Sequence, residues 1–337
     1  MLKHGLGNIL RLRKKEAPNA SLSDKDYSSL AIEQMVKVLL DQTLRDHHQI
    51  VLNGIKYIVQ NLGTECVQYL HLVIPPLLKL IKYSEHSHLN ESLYHCLFVI
   101  INTVKEQIGT FCDDMFDTMH EIFMEKEHQG HLLDLLKLIG HHASSKLKEE
   151  MYLLVPKLLN IIETNKLSQT GNLTSQCLKT IAEFKPELLD DYLYLLIPSI
   201  LGVCASGQTA LGLDLKICAL GIFYTLVNCE NFKEHMAQIL HSLLGVMETT
   251  PALEYVREIV KVFKEMAVNA GVDFAPYLPL IQKAMRRIKV ADEEYDELVE
   301  RILCQNQIEF FIESLERVEN RDKSNQQSQS KDGGSSQ

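Results

Sequence analysis

The chain has 337 residues, 46% of them hydrophobic and 23% charged, with a formal net charge of −10. That balance belongs to a folded protein and excludes global disorder. The acidity excludes a chain built mainly to neutralise a phosphate backbone, which needs a basic face.

With only 16 Gly and 9 Pro, and with Leu and Ile dominating the apolar set, helices are favoured, since Gly and Pro are the main helix breakers. No sustained period-two alternation predicts a strand. Residues 1–26 are polar and mixed, and they read as a flexible arm. Its basic run, Arg11, Arg13, Lys14 and Lys15, reads as solvated rather than as a nucleic-acid or membrane contact.

The first helix runs through LAIEQMVKVLL, centred on Gln34. Asp46 with Gln49 then resembles a capping box that opens a second helix. Val51, Ile55, Ile58, Val59 and Leu62 form one helical stripe, and Gly63 stands where a positive-φ C′ residue is wanted. The next segment, YLHLVIPPLLKLI from Tyr69 to Ile81, recurs in altered form. Tyr152–Ile162 reads YLLVPKLLNII, Tyr192–Val203 reads YLYLLIPSILGV, and Phe274–Ala284 reads FAPYLPLIQKA.

Pro75, Pro156, Pro198 and Pro279 mark these segments at spacings of 81, 42 and 81 residues. The wide gaps predict one degenerate unit each, anchored at Glu121 and His241. With Gln34 that makes seven anchors, 35 to 46 residues apart. The step fits the roughly 40–47 residues of HEAT and armadillo repeats better than shorter helical repeats. Second helices are predicted near 46–62, 90–108, 128–142, 171–184, 209–228, 252–269 and from 292 to 304 or beyond. Prolines inside the first helices predict a kink, because each deletes a backbone hydrogen bond.

The expectation is an all-α, HEAT/armadillo-like superhelical solenoid of about seven helical hairpins. It spans residues 27–317, between a flexible arm (1–26) and a disordered polar tail (318–337). Each hairpin buries its faces on its neighbours and leaves extended surfaces for other proteins.

Catalytic and metal motifs are missing from the sequence. There is no HExxH, no GxxxxGK[ST], no GxSxG, and no HRD, DFG or VAIK string of a protein kinase. His86, His88 and His95 form one histidine cluster, and His128, His131, His141 and His142 another. His131 with Asp134 is an i, i+3 pair able to ligate a cation, but the cluster reads as helix-face and loop residues. His47 and His48 read as capping residues. The acidic run Asp292, Glu293, Glu294, Asp296, Glu297 and Glu300 reads as the start of a terminal helix.

Eight cysteines without a CxxC pair predict buried, reduced thiols and a cytoplasmic chain, which makes the sequons at Asn19, Asn90 and Asn172 chance matches. The N-terminus lacks a long apolar stretch. Tyr192–Ala205, the most apolar segment, is shorter than the ~20 residues of a membrane span. Neither a signal peptide nor an integral membrane segment is expected.

Residues 27–83 carry a more specific signal. YSSLAIEQMVKVLLDQTLRDHHQIVLNGIKYIVQNLGTECVQYLHLVIP contains an LxDQxL turn at Leu39–Leu44, the pair His47–His48, Leu62–Gly63 closing a helix, and CVQYL leading to Pro75. In these features it resembles the middle HEAT region of the target-of-rapamycin (TOR) kinases. DDYLYLLIP at 190–198 and PYLPLIQKAMRR at 276–287 resemble later repeats of that region, so the likeness runs from about 22 to 304 and is looser over 84–147.

The resemblance implies a scaffold in growth and nutrient (TOR) signalling that binds a raptor-type subunit or another TOR-like chain, including a second copy as a homodimer. It implies no catalysis by this chain, because the kinase motifs are absent, and no cofactor or metal. Two origins stay open, a segment of a full-length TOR serine/threonine kinase or a stand-alone paralogue; Met1 and the polar end suit the second. A general HEAT adaptor, such as a transport receptor or phosphatase scaffold, is the alternative class, and a helical metallohydrolase using the histidines the third. The expected location is the cytoplasm, with endomembranes reached through partners.

Overall fold

In a computed structural model, residues 24–83, 87–165, 172–206 and 212–308 are described, and among them every regular element is helical. The arm assigned to 1–26 and the tail assigned to 318–337 lie almost entirely outside these residues. Only Asp24–Asp26 are within them, and they already belong to the first helix.

The chain divides into two compact units, one ending at Leu188 and one starting at Leu189. The first unit holds four helical hairpins: α1 (Asp24–Leu40) with α2 (Arg45–Leu62), α3 (Leu70–Tyr83) with α4 (Ser87–Val104), α5 (Cys112–Ile122) with α6 (Lys126–His142), and α7 (Ser144–Asn165) with α8 (Asn172–Ala182). Its first helices pack in the row α1, α3, α5, α7 and its second helices in the row α2, α4, α6, α8. The second unit repeats this with α9 (Leu193–Ala205) and α10 (Leu213–Leu226), α11 (Phe232–Thr249) and α12 (Leu253–Ala270), and α13 (Leu278–Ile288) followed by α14 (293–308). There α9 packs on α11, α11 on α13, and α10 on α12. The fold is all-α and HEAT/armadillo-like, as the repeat spacing predicts.

Apolar periodicity explains the packing. In α2 the buried line is His48, Leu52, Ile55 and Val59, at i, i+4, i+7 and i+11. The predicted stripe is therefore rotated slightly, since Val51, Ile58 and Leu62 only flank it. The most apolar helix, α9, buries Leu193, Leu196, Ile197, Ile200, Leu201, Val203 and Cys204. Residues 186–205 are apolar and long enough to span a membrane by composition, yet half of that window is buried inside the protein.

Three of the four anchor prolines stand inside first helices, as predicted. Pro75, Pro156 and Pro198 lie inside α3, α7 and α9, and each faces solvent. The carbonyl freed by the missing N–H is thereby left where water can reach it. Pro279 differs. It sits in the first turn of α13, where a missing N–H costs nothing. Leu278 starts α13 as Leu70 starts α3, so this anchor falls about one helical turn earlier than its counterpart Pro75.

The junctions between hairpins carry a device that the apolar pattern hides. Gly63, Lys105 and Gly271 all have positive φ, at 57°, 52° and 58°. Each opens a seven-residue 3-10 segment, 63–69, 105–111 and 271–277, that feeds the next first helix. Three residues in, each segment drives one fully buried side chain inward: Cys66, Ile108 and Phe274. Gly63 and Gly271 have ψ of −135° and −126°, a region nearly closed to residues with a Cβ.

The α1–α2 turn also differs from the predicted capping box. Leu44 occupies the N-cap of α2 with no side-chain bond. Asp41 instead accepts from the Thr43 N–H at 2.9 Å and the Thr43 hydroxyl at 2.7 Å. His48 is buried and its Nε2 lies 3.1 Å from Val38 O and 3.2 Å from Asp41 O, so it caps the end of α1 rather than the start of α2.

A β-carbon built at Gly63 or Gly271 meets nothing within 4 Å, so only backbone strain opposes substitution. Gly63→Ala and Gly271→Ala should each lower stability by about 1–3 kcal/mol. Lys105→Gly should be neutral or mildly stabilising, by under about 1 kcal/mol. Urea unfolding of the three variants checks this; an equal loss at all three positions contradicts it.

Candidate functional site

The second-helix row of the first unit carries a concave surface. A cleft of about 430 Å³ is lined by Phe98 and Asn102 of α4, Asp134, Lys137, Leu138 and His141 of α6, and Glu183 beyond α8. It continues along α6 into a second hollow of about 660 Å³. There Lys126, Gly130, His131 and Asp134 face Asn172, Gln176, Lys179 and Thr180 of α8.

Local sequence explains the shape. Gly130 lets α8 approach, since a β-carbon there would meet the Gln176 Oε1 at 3.3 Å. Gln176 in turn donates from Nε2 to Gly130 O at 2.9 Å, which ties the wall together. Lys137 and Glu183 pair at 2.6 Å across the mouth, so the two charges cancel and the lining has little net sign. The lining mixes charges of both signs with amides and a few apolar side chains, a composition found at the polar rims of protein interfaces.

The row has a repeat-spaced pattern that continues beyond the cleft. Tyr57 on α2 and Phe98 on α4 each stand four residues before an asparagine. Asn61 Nδ2 donates to Tyr57 O at 2.6 Å, and Asn102 Nδ2 to Phe98 O at 2.9 Å. Each amide is thereby oriented on an exposed helix face, and Tyr57 is 63% exposed. In the second unit, Asn228 on the turn after α10 donates to Tyr224 O at 2.9 Å in the same way. This aromatic-xxx-Asn pattern carries no apolar period and becomes visible only once the second helices are aligned.

The histidines resolve into packing roles. Carboxylates only accept hydrogen bonds, so His128 carries its proton on Nε2, 3.4 Å from Glu125, and its Nδ1 accepts from the Tyr94 hydroxyl at 2.9 Å. His131 stacks on the Tyr94 ring at 4.7 Å between centroids, and His141 and His142 meet edge to face. His95 Nδ1 lies 3.2 Å from Lys56 Nζ. His86 and the side chain of His88 lie outside the described residues. Among the described residues, no three His, Cys, Asp or Glu side chains converge as a metal ion would require. His131 and Asp134 thus share a cleft wall without a third ligand.

Cys66, Cys96, Cys112, Cys177, Cys204 and Cys229 are buried and in no disulfide, as expected, whereas Cys218 is half-buried and Cys304 exposed. Burial pushes Cys66 and Cys112 up to about 11 and Cys96 to about 12, far from thiolate reactivity. Asn90 is buried, which removes its sequon as a glycan acceptor. In the acidic run, Asp292 Oδ1 accepts from Tyr295 N–H at 2.9 Å and caps α14. Asp292 and Glu294 also hold Lys264 of α12, at 3.2 and 2.7 Å.

Comparison with known proteins gives this surface a context. Residues 10–105 match the family described as the serine/threonine-protein kinase mTOR domain. The Drosophila melanogaster serine/threonine-protein kinase mTor is 25% identical over 280 residues, 83% of this chain and 11% of that protein. Saccharomyces cerevisiae TOR2 is 25% identical over 281 residues, again 83% of this chain and 11% of its own length. The Arabidopsis thaliana TOR kinase is 20% identical over 289 residues. The chain therefore spans about a tenth of the kinases it resembles. Among solved structures, Kap121p bound to Pho4p aligns with a TM-score of 0.56 at 17% identity, covering 74% of this chain and 24% of that one. Kap121p bound to RanGTP aligns with a TM-score of 0.51 at 12% identity, covering 90% and 32%. These likenesses establish a shared helical-repeat fold.

The buried histidine yields a pH dependence. Desolvation lowers the proton affinity of His128, and of His142, below the ordinary imidazole value of 6.5. Below about pH 6.5 the unfolded chain therefore binds protons that the folded chain refuses, and stability falls with acidification. Urea midpoints measured from pH 8 to 5.5 should decline, with a shallower slope in His128→Gln. An unchanged slope in that variant contradicts the assignment.

Proposed function

We propose that this chain is a non-catalytic HEAT-type scaffold related to the central region of TOR kinases, and that it holds protein partners along its second-helix row in growth and nutrient signalling. One observation carries the reading. The likeness to TOR kinases extends over 83% of the chain, yet it occupies only 11% of the first two relatives. The reading therefore rests on the form of the matched region itself, a helical array with an open, weakly charged cleft. Helical repeats bind through broad surfaces, and the aromatic and amide groups at Tyr57, Asn61, Phe98 and Asn102 offer side chains of the kind that anchor protein interfaces.

In this reading the partner is a raptor-type subunit or another TOR-like chain, including a second copy, and residues 27–317 act as the binding body. The net charge of −10 argues against nucleic acid. The cytoplasm is the working compartment, in keeping with the buried free thiols. No metal or cofactor takes part. The same reading serves the chain as a stand-alone protein or as a stretch of a longer kinase. A transport adaptor would rest on fold likeness alone, since the karyopherin structures are at most 17% identical among those aligned above.

The test is affinity capture of the tagged chain from its source cell, with cross-linking and mass spectrometry. TOR-complex subunits should co-purify, and recovery of nuclear-transport factors alone overturns the proposal. Replacing both Tyr57 and Asn102 with Ala should weaken retention of the captured subunit by about tenfold, with unchanged thermal unfolding.

A further inference from the structure

The first-helix row holds a side-chain cluster that the scaffold reading does not use. His120 lies on α5, and Glu150 and Lys157 lie two turns apart on one face of α7. His120 Nε2 is 2.9 Å from Glu150 Oε2, and Lys157 Nζ is 2.9 Å from His120 Nδ1. Lys157 Nζ also donates to His120 O at 3.1 Å and sits 5.5 Å from the centre of the Phe123 ring.

The chemistry of the partners fixes the protons. A carboxylate cannot donate, so Nε2 carries the imidazole hydrogen and gives it to Glu150. An ammonium cannot accept, so Nδ1 is the unprotonated nitrogen and faces Lys157. His120 is thus a neutral base, oriented by a carboxylate, with its lone pair on an amine. A nucleophile beside a base, with that base held by a third group, is the arrangement that activates side chains for acyl transfer.

Lys157 also differs from other lysines. Lys82, Lys146, Lys261 and Lys264 all face carboxylates, and their proton affinity is raised. Lys157 faces an imidazole nitrogen, a carbonyl and a ring, and burial lowers its proton affinity. The free amine is therefore easier to reach. His120 and Glu150 side chains are 17% and 29% exposed and Lys157 is half-buried, so the cluster is shielded but reached by solvent.

We propose that Lys157 is an acylation site that reacts with thioesters, with His120 accepting its proton and Glu150 holding His120 in place. The ammonium first releases one proton to solvent. The amine lone pair then attacks the thioester carbonyl; the new N–C bond forms as the C–S bond breaks and the thiolate leaves. The second proton passes to His120 Nδ1, and the imidazolium is stabilised by Glu150. Transfer of that proton to the thiolate yields an amide, a free thiol and the original imidazole. The product has lost the cation and two of its three donors. Acylation therefore loosens the α5–α7 seam.

Acetyl-coenzyme A at pH 8 is the probe, with the rate at each lysine read by peptide mass spectrometry on the full chain. Lys148, exposed on the same helix, is the internal reference. Lys157 should acetylate at least about tenfold faster than Lys148, in line with general-base assistance. His120→Gln should bring the ratio to one or below, and Glu150→Gln should lower it in part. A wild-type ratio of one or less overturns the proposal. So does a ratio unchanged in His120→Gln or, should that variant not fold, in Glu150→Gln.

Discussion

Two amphipathic helices joined by a turn have more apolar surface than they can cover with each other, and this shortage governs the molecule. In α3, Val73, Ile74, Leu77, Leu78 and Ile81 are all buried, although α4 alone cannot reach both sides of that stripe. The remainder is taken up by α1 and α5. Each buried aliphatic side chain contributes about 1.5–3 kcal/mol, so the sum across a seam outweighs any single polar contact. Stability in each unit therefore lies between hairpins as much as within them.

Polar pairs at the repeat spacing act on register instead. Lys82 meets Glu121, and Lys137 meets Glu183. In the second unit Lys233 meets Asp273, and Arg287 meets Glu248. Asp190 accepts from both the backbone N–H and the side-chain amide of Asn231. Most of these groups are exposed, where an ion pair is worth ~0–1 kcal/mol. Their recurrence from one hairpin to the next suits alignment of neighbours, because a helix shifted by one turn would lose its partner. The α5–α7 seam differs, with a part-buried imidazole between a carboxylate and a lysine, and Lys264 with Asp292 is similarly sheltered.

The helices were legible because burial writes a 3.6-residue period into the chain. All seven first-helix anchors lie in first helices, and the seven predicted second helices match α2 to α14 within a few residues. What escaped has a common cause. His48 finds its acceptors at the end of the preceding helix, and Glu150 finds His120 thirty residues back, so neither contact leaves a local trace. Of the 3-10 segments, those at 105–111 and 271–277 blur into the flanking helices in the sequence because Ile108 and Phe274 continue the apolar rhythm. Pro279 is indistinguishable from a kink-forming proline in the sequence, because one helical turn of offset leaves no mark in a string of letters. The cleft beside α6 depends on how far neighbouring helices are rotated, and a one-dimensional period does not encode that.

The outward prolines bear on the order in which the chain assembles. An interior proline costs about 3 kcal/mol of helix stability, and α3 contains two in succession. Alone in water, α3 cannot nucleate. The proline-free α2, α4 and α12 can form transient helix before anything docks on them. Among the first helices only α3, α7 and α9 carry an interior proline, so these three depend most on the packing of their neighbours. Where Pro75, Pro156 and Pro198 stand, a helix is held by its neighbours' side chains more than by its own backbone bonds.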